Sequence, residues 1–330
     1  MLLVVSSALI PLPTLSAATG LSTSTSALVL VGATVAFYIA VRATADAARS
    51  RPVLAVVLSI VLPTAAAALL AAAAGRPGAG FATVYASAAA MLTLVLGLGL
   101  VTPADKGVAQ RKLPDPAPTA AALLPVVVAV LLSGFGSTFG LLDTILLGIV
   151  GGAALVPMWP TLKAKSVEPE IARPLRAVQI GLAVLLATAA ALLVSVGSSQ
   201  IDSRIGRDSL AIAATLLAAP MIALPVVGLI TAQAAEGRRN ECIAALASAA
   251  SILLGLILPL TALVAIVRQA SFDGVPVPLR LWRVDSVVLA VAAVLLLPTA
   301  LRRWKPAGWE GLGLIGLFVA YLVVSVLSSR

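Results

Sequence analysis

Apolar runs of about 20 residues recur along the whole chain, the length at which a helix crosses a bilayer. A backbone that enters hydrocarbon must satisfy its own N–H and C=O groups, so only helices or a closed barrel are open to it. A barrel would show short alternating segments, and none are visible. Composition agrees: 61% of the 330 residues are hydrophobic and 11% are charged, against roughly 25% charged in soluble domains. The sequence predicts an all-α polytopic membrane protein. Ten spans are expected, over 27–43, 53–74, 80–101, 119–134, 139–159, 175–197, 209–235, 242–267, 285–301 and 310–328.

Several chemistries drop out early. The chain has no histidine and one cysteine, Cys242. Histidine-based acid/base work, histidine metal sites and a disulfide within the chain are excluded, and no residue pattern points to a cofactor or a metal. The net charge of +9 reads as basic loops of a membrane protein rather than as a nucleic-acid surface. With the N-terminus outside, fifteen of the 22 basic residues fall in inside loops, among them Arg42, Lys106, Lys163, Arg238 and Arg302. That bias predicts an N-out, C-out protein of the inner (cytoplasmic) membrane, with the lipid bilayer as its first partner. Residues 1–25 lack a basic start and are expected to be a leader to the first span rather than a signal peptide. A composition dense in Ala, Val, Leu and Arg suits a high-GC bacterium.

Two spans stand out. From Val53 to Ala74 and from Leu210 to Ala235 there is no charged residue, yet each carries a Leu-Pro step, Leu62-Pro63 and Leu224-Pro225. Each proline is followed twelve residues later by Gly-Arg, at Gly75-Arg76 and Gly237-Arg238. The steps lie 162 residues apart, and the acidic starts at Asp143 and Glu310 lie 167 apart. Five spans separate the members of each pair, so the second set runs in the opposite direction. This predicts an inverted repeat of five helices each with proline-broken helices at the centre. The expected organisation is 26–160 and 175–330, joined by a cytoplasmic linker at 161–174.

With those landmarks in place, the chain resembles the cation/calcium exchanger superfamily, which includes the sodium/calcium exchangers. The resemblance rests on Ala40-Val41-Arg42, Val61-Leu62-Pro63, Ala86-Ser87 and Leu94-Val95-Leu96-Gly97-Leu98 in the first half. In the second half it rests on Ala223-Leu224-Pro225, Ala247-Ser248 and Leu253-Leu254-Gly255-Leu256. Asp143, Glu310-Gly311 and the run Leu317 to Leu322 match the family's fifth and tenth helices. The resemblance implies an exchanger fold over about residues 27 to 328. It also implies a cation site in which a glutamate follows each proline. Here those positions are Thr64 and Val226, and the family's asparagines fall on Thr83, Ala88, Ala245 and Ala249 or Ala250. Calcium takes six to eight oxygen ligands, several of them carboxylates. Calcium is therefore not the expected solute.

The polar residues left at that centre are the expected binding set: Ser59, Pro63, Thr64, Thr83, Tyr85 and Ser87 from the first half, and Pro225, Val226, Thr231, Gln233, Ser248 and Ser251 from the second. Serine and threonine in membrane helices commonly bond their own i−4 carbonyls. Tyr85 and Gln233 need partners once buried. Asp143 and Glu310, read as the acids nearest membrane depth, suit helix N-termini, with a proton relay as the alternative. Glycine-rich stretches near Gly134 and from Gly148 to Gly152 suit close helix packing. Three functions stay open. One is a carrier for a monovalent ion or small molecule. Another is a membrane-embedded cyclase or isomerase that uses Tyr85, Gln233, Asp143 or Glu310 on a hydrophobic organic substrate. The last is a non-catalytic membrane scaffold.

Overall fold

The computed structural model describes residues 23–47, 51–103, 115–134, 138–164, 179, 181, 219–269, 274–277, 279–302 and 308–328. Nine helices lie among them. They are α1 (Thr23–Ala47), α2 (Pro52–Ala73), α3 (Pro77–Val101), α4 (Ala117–Ser133), α5 (Leu141–Lys163), α6 (Ala219–Ala235), α7 (239–269), α8 (Leu279–Ala300) and α9 (Gly308–Ser328). Apart from residues 179 and 181, the sixth expected span, 175–197, lies outside the described residues, as does the leader up to residue 22, while residues 23–25 belong to α1. Two short strands, β1 (Thr138–Phe139) and β2 (Val275–Pro276), pair antiparallel. Six of the helices are long and apolar enough to cross a membrane, by length and composition.

Local chemistry explains where these helices begin and end. Pro52 and Pro77 stand in the first turns of α2 and α3, where a missing N–H costs nothing. α2 closes on Gly75, whose φ of 81° only glycine adopts cheaply. The Arg76 N–H then reaches the Ala71 carbonyl and the Gly75 N–H reaches Ala72, a Schellman cap. The same cap closes α6: Gly237 has φ 76°, Arg238 N–H reaches Gln233 and Gly237 N–H reaches Ala234. Every one of these pairs is offset by 162 residues, so the two Gly-Arg steps are the same device twice.

A third mirrored landmark has no sequence signal. α3 contains a π turn at Met91–Val95 and α7 another at Leu253–Ile257, again 162 residues apart. In each, the next N–H, of Leu96 or Leu258, reaches back five residues, to the carbonyl of Met91 or Leu253. The prolines do not break their helices: α2 runs through Pro63 and α6 through Pro225 without interruption. The expectation of proline-broken helices is corrected here. The irregular backbone sits in the neighbouring helix of each half, as π turns.

α3 and α7 are largely enclosed, whereas α5 and α9 expose most of their surface. Exposed side chains of α5 include Leu142, Ile145, Leu146 and Ile149, as a helix facing lipid requires. Two crossings set the spacing of the bundle. A Cβ on Gly255 of α7 would lie 2.6 Å from Gly151 Cα of α5, and a Cβ on Gly311 of α9 would lie 2.6 Å from the Gly97 oxygen of α3. Backbone touches backbone in both, as small residues allow. Gly151 and Gly134 meet the packing expectation, while Gly148 and Gly152 have open space beside them.

The ends of the bundle are tied separately. At one end, Phe139 of β1 stacks on Phe81 of α3 with centroids 5.7 Å apart, and Gly75 lies beside Arg268. At the other, Arg239 Nη2 donates to the Thr102 carbonyl at 2.6 Å and Arg302 pairs with Asp115 at 2.7 Å. We call these the bridge end and the Gly237 end.

Candidate functional site

At the centre, α2 packs against α1, α3, α6 and α7. Here the hydroxyls turn inward on their own helices. Thr64 donates to Ile60 O at 2.8 Å, Thr83 to Ala79 O at 2.8 Å and Ser251 to Ala247 O at 2.8 Å. Thr231, half-buried on α6, donates to Val227 O at 2.9 Å. Ser59 donates to Ala55 O at 2.7 Å and also reaches Val41 O of α1 at 3.2 Å. Thr64 and Val226 occupy the same place in the two halves, each following its proline, and both are fully buried. Pro63 and Pro225 are buried as well. Ser87 of α3 and Ser248 of α7 differ from the rest: each is fully buried, and neither hydroxyl has a hydrogen-bond partner among the described residues. They are the polar atoms this centre leaves available.

The remaining expected site residues lie elsewhere. Gln233 is in the last turn of α6, not at its middle, where its Oε1 is 3.8 Å from the Cys242 thiol. Beside it, Arg238 pairs with Glu241 and, at 3.3 Å, with Glu236. Burial works against the Arg238 charge, but the two carboxylates hold its pKa above the ordinary arginine value. That guanidinium is thus engaged by acids rather than turned to Cys242. Asp143 Oδ2 accepts the Gly140 N–H at 3.0 Å and caps α5. Glu310, in the first turn of α9, lines a cavity of about 240 Å³ at the Gly237 end with Leu100, Pro298, Thr299 and Trp309. Its walls are mainly apolar, and the buried Thr299 hydroxyl has no partner among the described residues.

Tyr85 also leaves the centre. It faces α8 near Trp282 and Asp285, and its buried hydroxyl has no hydrogen-bond partner among the described residues. Asp285 is 1% exposed and receives the Tyr321 hydroxyl of α9 on Oδ1 at 2.7 Å. Its Oδ2 has no hydrogen-bond partner among the described residues. Trp282, one turn before Asp285, is seated on Gly134 so tightly that a Cβ there would enter the ring. Three helices thus bring Tyr85, Asp285 and Tyr321 together, about 9–12 Å in from the bridge end at 1.5 Å per residue. Asp285 corrects the view that Asp143 and Glu310 are the acids nearest membrane depth. The ninth span was expected to start at Asp285, but α8 starts at Leu279, nearly two turns earlier. Arg280 and Arg283 depress the local hydropathy and hide those turns. A search for helix continuity through isolated arginines would have found the site.

No cluster of three metal-binding side chains of the His/Cys/Asp/Glu type occurs among the described residues. No protein-family model matches the sequence, and no characterised protein matches it by sequence. Solved structures do match by shape. The fold is that of the cation/calcium exchangers, an all-α membrane architecture. An H+/Ca2+ exchanger, CAX, superposes with TM-score 0.71 at 16% identity, covering 99% of this chain and 90% of its own. The Ca2+/H+ antiporter YfkE gives TM-score 0.65 at 15% identity, covering 99% of each chain. The sodium-calcium exchanger NCX_Mj gives 0.61 at 18% identity, over 92% of this chain and 99% of that one.

Proposed function

We propose that the protein is a carrier of exchanger fold whose central site works without carboxylates and takes a monovalent cation or a small uncharged molecule instead of calcium. The mirrored pair Thr64 and Val226 carries this reading. At the two places where the resemblance expects a glutamate, one half offers a hydroxyl bonded to its own backbone and the other a methyl-faced side chain. A divalent ion brought there would lose its hydration shell and gain no countercharge. The hydroxyls of Ser87 and Ser248 fit a ligand that needs a few neutral oxygens. The binding set is Ser59, Pro63, Thr64, Thr83 and Ser87 with Pro225, Val226, Ser248 and Ser251. Tyr85 and Gln233 serve other surroundings. The repeats at 26–160 and 175–330, and an N-out orientation in the cytoplasmic membrane, belong to the same reading.

The test is flux in proteoliposomes. Calcium-45 and sodium-22 are loaded against opposing sodium, potassium and proton gradients, with wild type beside Thr64→Glu/Val226→Glu. The expected result is no calcium flux in wild type and a gain of calcium flux in the double variant. Calcium flux in wild type sinks the proposal. Silence of wild type under every gradient and with neutral solutes moves the function to a membrane-embedded enzyme acting on an organic substrate.

A further inference from the structure

We infer that Asp285 is a proton-binding site of this protein, built by α3, α8 and α9 apart from the central crossing. A carboxyl at membrane depth is costly unless it is used or fully paired, and Asp285 is only half paired. Tyr321 satisfies Oδ1 at 2.7 Å, while Oδ2 stays buried and without a partner. The ligand that fits is a proton rather than a metal ion. A monovalent metal needs several oxygens around it, whereas Asp285 belongs to no cluster of three metal-binding side chains of the His/Cys/Asp/Glu type among the described residues. The one phenol shown on it already spends its hydrogen on Oδ1. A proton needs a single oxygen and makes the carboxyl a donor as well as an acceptor.

Among the described residues, none of the helices packed against α8 carries a basic group that would serve as a standing counter-ion. α8 packs against α3, α4 and α9. α4 has no titratable residue, α3 supplies Tyr85, and α9 supplies Tyr321 and, eleven residues away at the other end, Glu310. On α8 itself Arg280 and Arg283 precede Asp285, and Arg283 is exposed. Trp282, one turn before Asp285 on the bridge-end side, is seated on Gly134. This site does not depend on which solute the centre takes.

The experiment is infrared difference spectroscopy of the full-length protein in lipid nanodiscs, titrated in pH and read at the carbonyl stretch of a protonated carboxyl. Circular dichroism and gel filtration verify that each variant is folded. Wild type should show a carboxyl band that grows as pH falls. Asp285→Asn should lack it, and Tyr321→Phe should keep it at a shifted frequency, since one hydrogen bond to the group is lost. Gly134→Ala, which unseats the indole, should speed exchange of the band in heavy water by at least several-fold. A band that survives in folded Asp285→Asn, or a carboxyl there that does not respond to pH, overturns the assignment. So does a Tyr321→Phe spectrum identical to wild type.

Discussion

The centre of the bundle and the α3–α8–α9 cluster use polar groups in opposite ways. The centre holds many hydroxyls, and most of them close on a carbonyl four residues back in the same helix. The cluster holds few groups, but they are strong ones drawn from different helices: a buried carboxyl, two phenols and an indole. A polar side chain in a membrane helix is thus available for function only when its own backbone has not already claimed it. By that measure Ser87, Ser248 and Asp285 matter more than the longer polar inventory.

The contrast can be broken at four points. The largest effect is expected from Gly151→Leu, which drives a side chain into the Gly255 backbone where α5 crosses α7. Overpacking of this kind costs about 3 kcal/mol, and thermal melts in detergent should show a large drop in midpoint or loss of monodisperse protein. Tyr321→Phe comes next, because it leaves Asp285 Oδ1 buried and unpaired, at about 2 kcal/mol. The double change Asp285→Leu/Tyr321→Phe should recover most of that loss, since both partners become apolar together. If the double variant is as unstable as the single one, the cluster is a packing feature rather than a paired polar site. Thr64→Val should cost about 0.6 kcal/mol, since valine already fills the mirrored place at Val226. A much larger cost would mean that the Thr64 hydroxyl supports more than Ile60. The smallest effect belongs to Ser87→Ala and Ser248→Ala. With no partner to lose, melts should stay within about 0.5 kcal/mol of wild type, while any solute identified by flux should bind more weakly.

Much of the fold was legible because specific residue types were required. Gly75 and Gly237 terminate helices at positive φ, and Arg76 and Arg238 complete identical caps, so chemistry repeated the letters along with the geometry. The π turns left no such trace. A helix can take in an extra residue between ordinary Leu, Val and Ile side chains, and nothing in Met91–Val95 or Leu253–Ile257 demands it. The centre was legible as a set of residues but not as a set of bonds, because the sequence shows a hydroxyl without showing where its hydrogen goes. Tyr85 was expected at the centre on spacing alone. One helical face away, it belongs to α8, and the sequence carries no marker of which neighbour a buried face will meet. Asp285 was obscured by the arginines at 280 and 283, which made two turns of helix look like a loop.

The two glycine crossings have a mechanical consequence. Where Gly151 meets Gly255, backbone lies on backbone, whereas the Gly97–Gly311 contact is flanked by the side chains of Ile315, Leu100 and Val101. Helices that mesh by ridges and grooves must climb over one another to shift. A smooth contact between two backbones has no ridge to climb, so α5 against α7 is the crossing that resists a shift least, and it joins the first half of the chain to the second.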